Sequence, residues 1–186
     1  MFGRRKKALA RGQRVFLYAP SRDAGQEFVA MTQANESYHR PWVYPPTDLR
    51  RYRAYLDRVT AGQTYGFLVA LNEDDRLIGV ININDIMGGG FKSGSLGYYV
   101  DMSVAGNGYM AEALALVLDQ AFTVLGLHRL ESNVQPANAA SLALIRKLGF
   151  RKEGFSPKFL QIDGIWRDHE RWAILDGEWF AATGQG

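Results

Sequence analysis

The sequence predicts a mixed α/β fold on one central sheet, and three observations carry that prediction. From Leu96 to Leu125 an apolar strand passes through a turn with two glycines into a long amphipathic helix, and Arg129–Val134 reads as a strand parallel to the first. Ahead of this unit, the runs Tyr65–Leu71 and Leu77–Ile83 flank the polar turn at 72–75 as an antiparallel hairpin. Behind it, Phe150–Leu160 and Ile165–Leu175 flank Ile162-Asp163-Gly164, whose Asp-Gly pair is a strong hairpin signal. A crossover unit between two antiparallel pairs calls for one mixed sheet with helices packed on it.

The remaining elements follow in order. Val15-Phe16-Leu17-Tyr18 is a short strand closed by Pro20, after which Ser21 caps a helix carrying Phe28, Val29 and Met31 to about Ser37. The stretch 38–46 is expected to be non-helical, because Pro41, Pro45 and Pro46 interrupt it, and it is dense in aromatics for a loop. A second helix starts at Thr47 or Asp48, places Leu49, Tyr52, Tyr55 and Leu56 on one face and stops near Gly62. Gly88-Gly89-Gly90 connects to the central strand. In the long helix Met110, Ala113, Leu114, Val117, Ala121 and Leu125 recur at helical spacing. Asn138 caps a shorter helix with Leu142, Ile145 and Leu148 inward, and Gly149 ends it.

Composition narrows the class. At 186 residues with 47% hydrophobic and 12% aromatic content, the chain reads as one folded domain with a sizeable core. The absence of cysteine excludes disulfides, thiol nucleophiles and thiolate metal sites, and suits a reducing compartment. No apolar run approaches the roughly 18 residues of a membrane span, and Arg11, Gln13 and Arg14 break any signal-peptide pattern, so a cytoplasmic protein is expected. Residues 1–14 hold six basic and no acidic side chains, leaving 16 basic and 19 acidic residues beyond them. The positive net charge therefore belongs to the terminus. Residues 1–13 read as a basic tail, either a weak contact for RNA or the ribosome or simply a solvated terminus, and 14–180 as the single domain.

The two-glycine turn at Gly106-Asn107-Gly108 opens directly into a helix. A helix start presents unpaired N–H groups and a partial positive charge, and glycine lets an anion approach the backbone. An ordinary turn with no ligand reads equally well from this stretch alone.

The full set of motifs resembles the GNAT family, the Gcn5-related N-acetyltransferases. Their signature, Gln/Arg-x-x-Gly-x-Gly/Ala, appears as Ser103-Val104-Ala105-Gly106-Asn107-Gly108, followed by Tyr109-Met110-Ala111-Glu112-Ala113-Leu114. The second half appears as Asn138-Ala139-Ala140-Ser141 and Leu148-Gly149-Phe150. Within the family the chain is similar to the ribosomal-protein alanine N-acetyltransferases, on Asn35-Glu36, Arg40-Pro41-Trp42, Leu96-Gly97-Tyr98 and 160–169. The resemblance implies the acyl-CoA N-acyltransferase fold, a mixed sheet of about seven strands with flanking helices. It also implies transfer of acetyl from acetyl-CoA to a primary amine by direct attack in a ternary complex, the protein N-terminus of a ribosomal protein being the leading acceptor. A polyamine or antibiotic amine, and a non-catalytic ribosome- or RNA-associated CoA-binding module, are the alternatives.

By that resemblance the cofactor contacts fall on Tyr99, Val100, Met102, Val104, Ala105, Gly106, Asn107, Gly108, Tyr109, Met110, Asn138 and Ser141, with the pyrophosphate on the N–H groups from Val104 to Met110. Ser103 and Asn107 stand where the family often has a Gln or Arg and a basic residue, so the loop has no cation of its own. A backbone N–H near Tyr99 or Val100 is the expected oxyanion donor. Ile145 stands at the position of the family's frequent Tyr acid, which leaves Ser141 as the group nearest the thiol. Glu131 and Asn133 are the candidates for receiving the amine's proton, directly or through a water. Trp42, Tyr44, Phe159 and Trp166 are candidates for the acceptor wall. No metal site is expected, since His39, His128 and His169 lack ligand spacing. An α-amine, with a pKa of about 7.7–8.0, is roughly one-tenth neutral at pH 7, whereas lysine costs ~3 kcal/mol more to deprotonate. A chain without a committed base suits the former.

Overall fold

The computed structural model describes residues 6–184. The eight strands are β1 (Ala8–Arg11), β2 (Val15–Tyr18), β3 (Thr64–Leu71), β4 (Leu77–Met87), β5 (Ser93–Val100), β6 (Arg129–Val134), β7 (Arg151–Ile162) and β8 (Ile165–Leu175). They form one sheet in the order β1-β2-β3-β4-β5-β6-β8-β7. Among the described residues, only β5 and β6 pair in parallel. The helices are α1 (Gly25–Ala34), α2 (Glu36–His39), α3 (Leu49–Thr60), α4 (Tyr109–Asp119), α5 (Ala139–Lys147) and α6 (Asp176–Thr183).

The two sheet faces have separate cores. On one, α4 and α5 cover Leu96, Leu130 and Val134, together with Ile81, Ile83 and Phe67. On the other, α1 and α3 bring Phe28, Tyr52 and Tyr55 against Phe16, Val80 and Tyr99. The period-2 alternation of strands sends Leu96, Tyr98 and Val100 to the first face and Tyr99 to the second.

That sheet creates an opening. β5 pairs β6 only from Ser93–Leu96 against Arg129–Ser132, while β4 follows β5 to Val100 and β8 follows β6 to Val134. Beyond Leu96 the parallel neighbours part, and β5 keeps one unpaired edge. Asp101 N–H donates to the Ile78 carbonyl at 2.8 Å. Alternation then gives Tyr99's backbone to β4 and turns the N–H and C=O of Val100 into the gap.

The structure departs from the sequence expectations in four places. The sheet has eight strands rather than about seven, because Ala8–Arg11 pairs with β2 inside the stretch read as a tail. The boundary between residues 13 and 14 therefore cuts a hairpin, and Arg4 and Arg5 of that tail lie outside the described residues. Tyr38 and His39 are helical, closing α2 before Pro41. After β8 the described residues continue into α6, which buries Trp179 and runs past residue 180. Ser21 makes no side-chain cap, and α1 begins only at Gly25; of the two starts read for α3, Asp48 is the cap, accepting from Arg51 N–H.

Candidate active site

A cleft of about 470 Å³ runs through the parting of β5 and β6. It joins the two faces. Ala105, Gly106, Gly108, Tyr109, Met110, Asn138 and Ser141 line the side of α4 and α5, whereas Tyr38, His39, Trp42 and Val43 line the other. Tyr98, Tyr99 and Val100 form the wall between them. The loop after α2 stands across the mouth, tied to both lips. His39 Nε2 donates to the Val100 carbonyl at 2.9 Å on β5, and Gln135 Nε2 donates to the Trp42 carbonyl at 3.3 Å just past β6.

At the glycine turn, Gly106 and Gly108 have φ of 78° and 82°, a region that L side chains rarely adopt. The N–H groups of Val104, Ala105 and Asn107 already reach the carbonyls of Asp101, Met102 and Val104. Among the described residues this leaves Gly106, Gly108 and the first helical residues Tyr109 and Met110 as free donors, a narrower set than the whole loop. Asn35 anchors the turn from behind, its Nδ2 donating to Met31 O and its Oδ1 accepting from Met102 N–H, both at 2.8 Å. Two cations missing from the loop itself arrive from elsewhere. Lys147 stands at the cleft from α5, and Arg14 reaches the Asn107 carbonyl from the β1–β2 turn at 3.0 Å. Free donors at a helix start, two permissive glycines and a nearby ammonium fit a CoA pyrophosphate.

Deeper in the cleft, the Tyr98 hydroxyl and Ser141 Oγ lie 2.6 Å apart. Asn138 Oδ1 accepts from Ser141 N–H at 3.1 Å, which fixes the first turn of α5. Burial pushes the Tyr98 phenol above its ordinary pKa, so it stays protonated. Ile145 is fully buried and takes no part.

The candidates on β6 lie on the opposite face. Glu131 Oε1 accepts from Arg129 Nε at 3.1 Å and Oε2 from Arg171 at 2.8 Å, so both oxygens are engaged. This geometry argues against Glu131 as a free base. Asn133 reaches across the crotch of the cleft to Ser95 Oγ at 3.4 Å, and its buried Oδ1 has no partner among the described residues. Met102 is exposed and outside the cleft, as is Trp166 on the β7–β8 hairpin. Phe159 packs under Arg171, 4.4 Å from its ring, and Tyr44 under Arg40, so neither lines the cleft.

Sequence reasoning missed Tyr98, His39 and Lys147. For Tyr98 the signal was available, since period 2 from Leu96 places it on the face of α5. Lys147 lies two helical steps of three from Ser141, through Leu144. His39 carried no such signal, because its position depends on a contact 61 residues away with Val100. A carbonyl can only accept, so Nε2 carries the proton and Nδ1 is a bare, buried acceptor without a partner among the described residues. Burial holds its pKa below the usual histidine value despite the opposing bond to Val100.

A parallel pair that parts over a two-glycine helix start is the arrangement that the resemblance to acyl-CoA N-acyltransferases implies, and comparison with known proteins agrees. The family model of the acetyltransferase (GNAT) domain matches residues 14–151. The chain is 39% identical over 127 residues to "Probable N-acetyltransferase YjcK" of Bacillus subtilis, covering 68% of this chain and 70% of that protein. It is 30% identical over 153 residues to the [ribosomal protein uS5]-alanine N-acetyltransferase of Escherichia coli, covering 78% and 79%. Mycobacterium smegmatis RimJ, solved in complex with CoA-disulfide, superposes with a TM-score of 0.81 at 28% identity, covering 91% of this chain and 89% of that one. The chain belongs to the GNAT acetyltransferase family. It is an N-acetyltransferase of the RimJ/RimL-like group, and acetyl-CoA is its acetyl donor.

Proposed function

We propose that the acceptor is the N-terminal α-amine of a protein, a ribosomal protein by analogy with the relatives' names. The observation that carries this reading is the charge of the cleft. Among the described residues that line it there is no aspartate or glutamate, and Glu131, on β6 outside that lining, is engaged by two arginines. A polyamine brings further ammonium groups whose lost hydration needs carboxylates in return. An α-amine is partly neutral at pH 7 and makes no such demand.

In this reading the cleft divides the chemistry among four groups. The amine attacks the thioester carbon, forming a C–N bond as the C–S bond breaks. The Val100 N–H, turned into the gap by its strand, hydrogen-bonds the developing oxyanion. Asn133 Oδ1 accepts from the amine and holds its lone pair toward the carbonyl. The amine's proton leaves to water, since no free carboxylate meets it. Ser141 and Tyr98 together give the departing sulfur a hydroxyl proton and take one back from water, taking over from the tyrosine that Ile145 replaces.

Thiol release from acetyl-CoA tests the acceptor class, and the absence of cysteine keeps its background low. Peptides beginning with Ala or Ser are expected to turn over faster than spermidine or an aminoglycoside. The reverse order would overturn the proposal. Cofactor binding with no turnover on any amine would instead favour a non-catalytic module.

A further inference from the structure

Gly106 and Gly108 permit the N–H groups of the turn to face an anion, but they do not require it. A turn with φ of 78° and 82° at two glycines also tolerates a flipped peptide. Across a trans peptide, C=O and N–H point in opposite directions. If the Asn107–Gly108 peptide turned over, the Asn107 carbonyl would meet a phosphate where the Gly108 N–H should. The structure decides between the two with a residue 93 positions away. Arg14 NH1 donates to the Asn107 carbonyl at 3.0 Å on the outer side, which sends the Gly108 N–H inward.

Two further contacts fix that guanidinium and a third fixes the backbone that carries it. Its Nε donates to Glu112 Oε2 at 2.9 Å, its own backbone N–H donates to Glu112 Oε1 at 2.7 Å, and its plane lies 4.6 Å above the Tyr109 ring. Its remaining amino group comes within 3.4 Å of where a Cβ on Gly108 would stand. Burial favours the neutral Glu112 carboxyl, yet the bonds from Arg14 and the Val15 N–H outweigh it and hold the group below the usual glutamate pKa. Two other carbonyls of the turn are occupied as well, since Asn107 Nδ2 donates to Val104 O and Ala105 O at 3.3 Å each.

We propose that Arg14 is a positioning residue for acetyl-CoA: from behind the turn it clamps the Asn107 carbonyl outward, so that the Gly108 N–H is presented to the pyrophosphate. The proposal rests on the reading that this turn receives the pyrophosphate. Lysine keeps the charge but has no planar fork to span Asn107 and Glu112 together. Arg14→Gln and Arg14→Lys are therefore both expected to raise KM for acetyl-CoA about tenfold with kcat within about twofold, the pattern of lost ground-state binding. KM for acetyl-pantetheine, which lacks the phosphates, should be unchanged in both.

Three outcomes overturn the proposal: an unchanged KM for acetyl-CoA, an equal rise for both donors, which marks general loosening, or full rescue by Arg14→Lys, which marks a charge effect alone. Wild-type protein that binds both donors equally would overturn the pyrophosphate reading and the proposal with it. A binding titration of CoA against pantetheine gives the same comparison without turnover, and Arg14→Lys serves if Arg14→Gln does not fold.

Discussion

Tyr98 and Ser141 come from a strand and from the next helix but one, and their hydroxyls meet at 2.6 Å because β5 and α5 face each other across the cleft. Two hydroxyls in series act as one donor, so removing either should interrupt the same step. Ser141→Ala and Tyr98→Phe are each expected to lower kcat by about 10²-fold with KM for acetyl-CoA nearly constant. The double variant should be little worse than either single one. Steady-state kinetics on an Ala-first peptide decide this, and multiplicative losses would separate the two groups. His39 supports a second prediction, with the sign set by burial. Its folded pKa is lowered, so the stability tied to its neutral form is complete above about 6.5, the unfolded value, and drains as pH falls toward the folded one. Melting temperature should drop between pH 7.5 and 5.5, and His39→Gln should reduce that drop. His169, lowered by burial too, adds the same sign in both proteins and cancels in the comparison. The carboxyl groups of Glu153 and Glu170, held down by Arg129 and Lys152, give up their contribution only below about 4.5 and leave this window clear.

At the scale of elements, the site depends on how closely α4 rides over β4. A Cβ added at Gly79 would stand 2.8 Å from Met110 Cε and 2.9 Å from the Tyr99 carbonyl. The methionine end can swing away, but the backbone oxygen on β5 cannot. Gly79→Ala is therefore expected to cost ~1–3 kcal/mol, read as a lower urea midpoint, and to raise KM for acetyl-CoA because Met110 carries a free N–H of the turn. The strand, turn and helix at this place were legible because each has its own local signal: alternation, two glycines and a 3.6 period. The Asn138 cap was legible for the same reason, and Oδ1 does accept from Ser141 N–H. β1 and α6 were not. β1 has four residues with alternating half-burial and owes its existence to pairing with β2. α6 opens on Asp176-Gly177, a pair that reads as a turn rather than as a helix start. The α2 helix reached His39 against the expectation from Pro41, because a proline limits only the residue before it and those it would hydrogen-bond.

At the scale of the molecule, the basic terminus has an internal use that its composition concealed. Among the described residues, Lys6 pairs with Glu27 at 2.7 Å, Arg11 lies 4.4 Å over the Phe16 ring and Arg14 holds Glu112. Charge counting could not foresee this, since the carboxylate partners of Lys6 and Arg14 sit 21 and 98 residues away. Three cations spent on the fold leave less for RNA, and truncation is then a poor test of RNA binding. Removing residues 1–13 would strip β1 from β2, whose Val15, Phe16 and Leu17 are fully buried, and would also take Gly12, which packs against the Glu112 carboxylate. An uncovered strand of this kind loses its ladder bonds and becomes an edge for association. The truncated protein is expected to melt at least several degrees lower and to sediment partly as larger species. Lys7→Gln, which alters an exposed charge and leaves β1 paired, should melt like the wild type. If the truncated chain instead keeps its melting temperature, its monomeric state and its KM for acetyl-CoA, β1 is dispensable and the domain begins at β2.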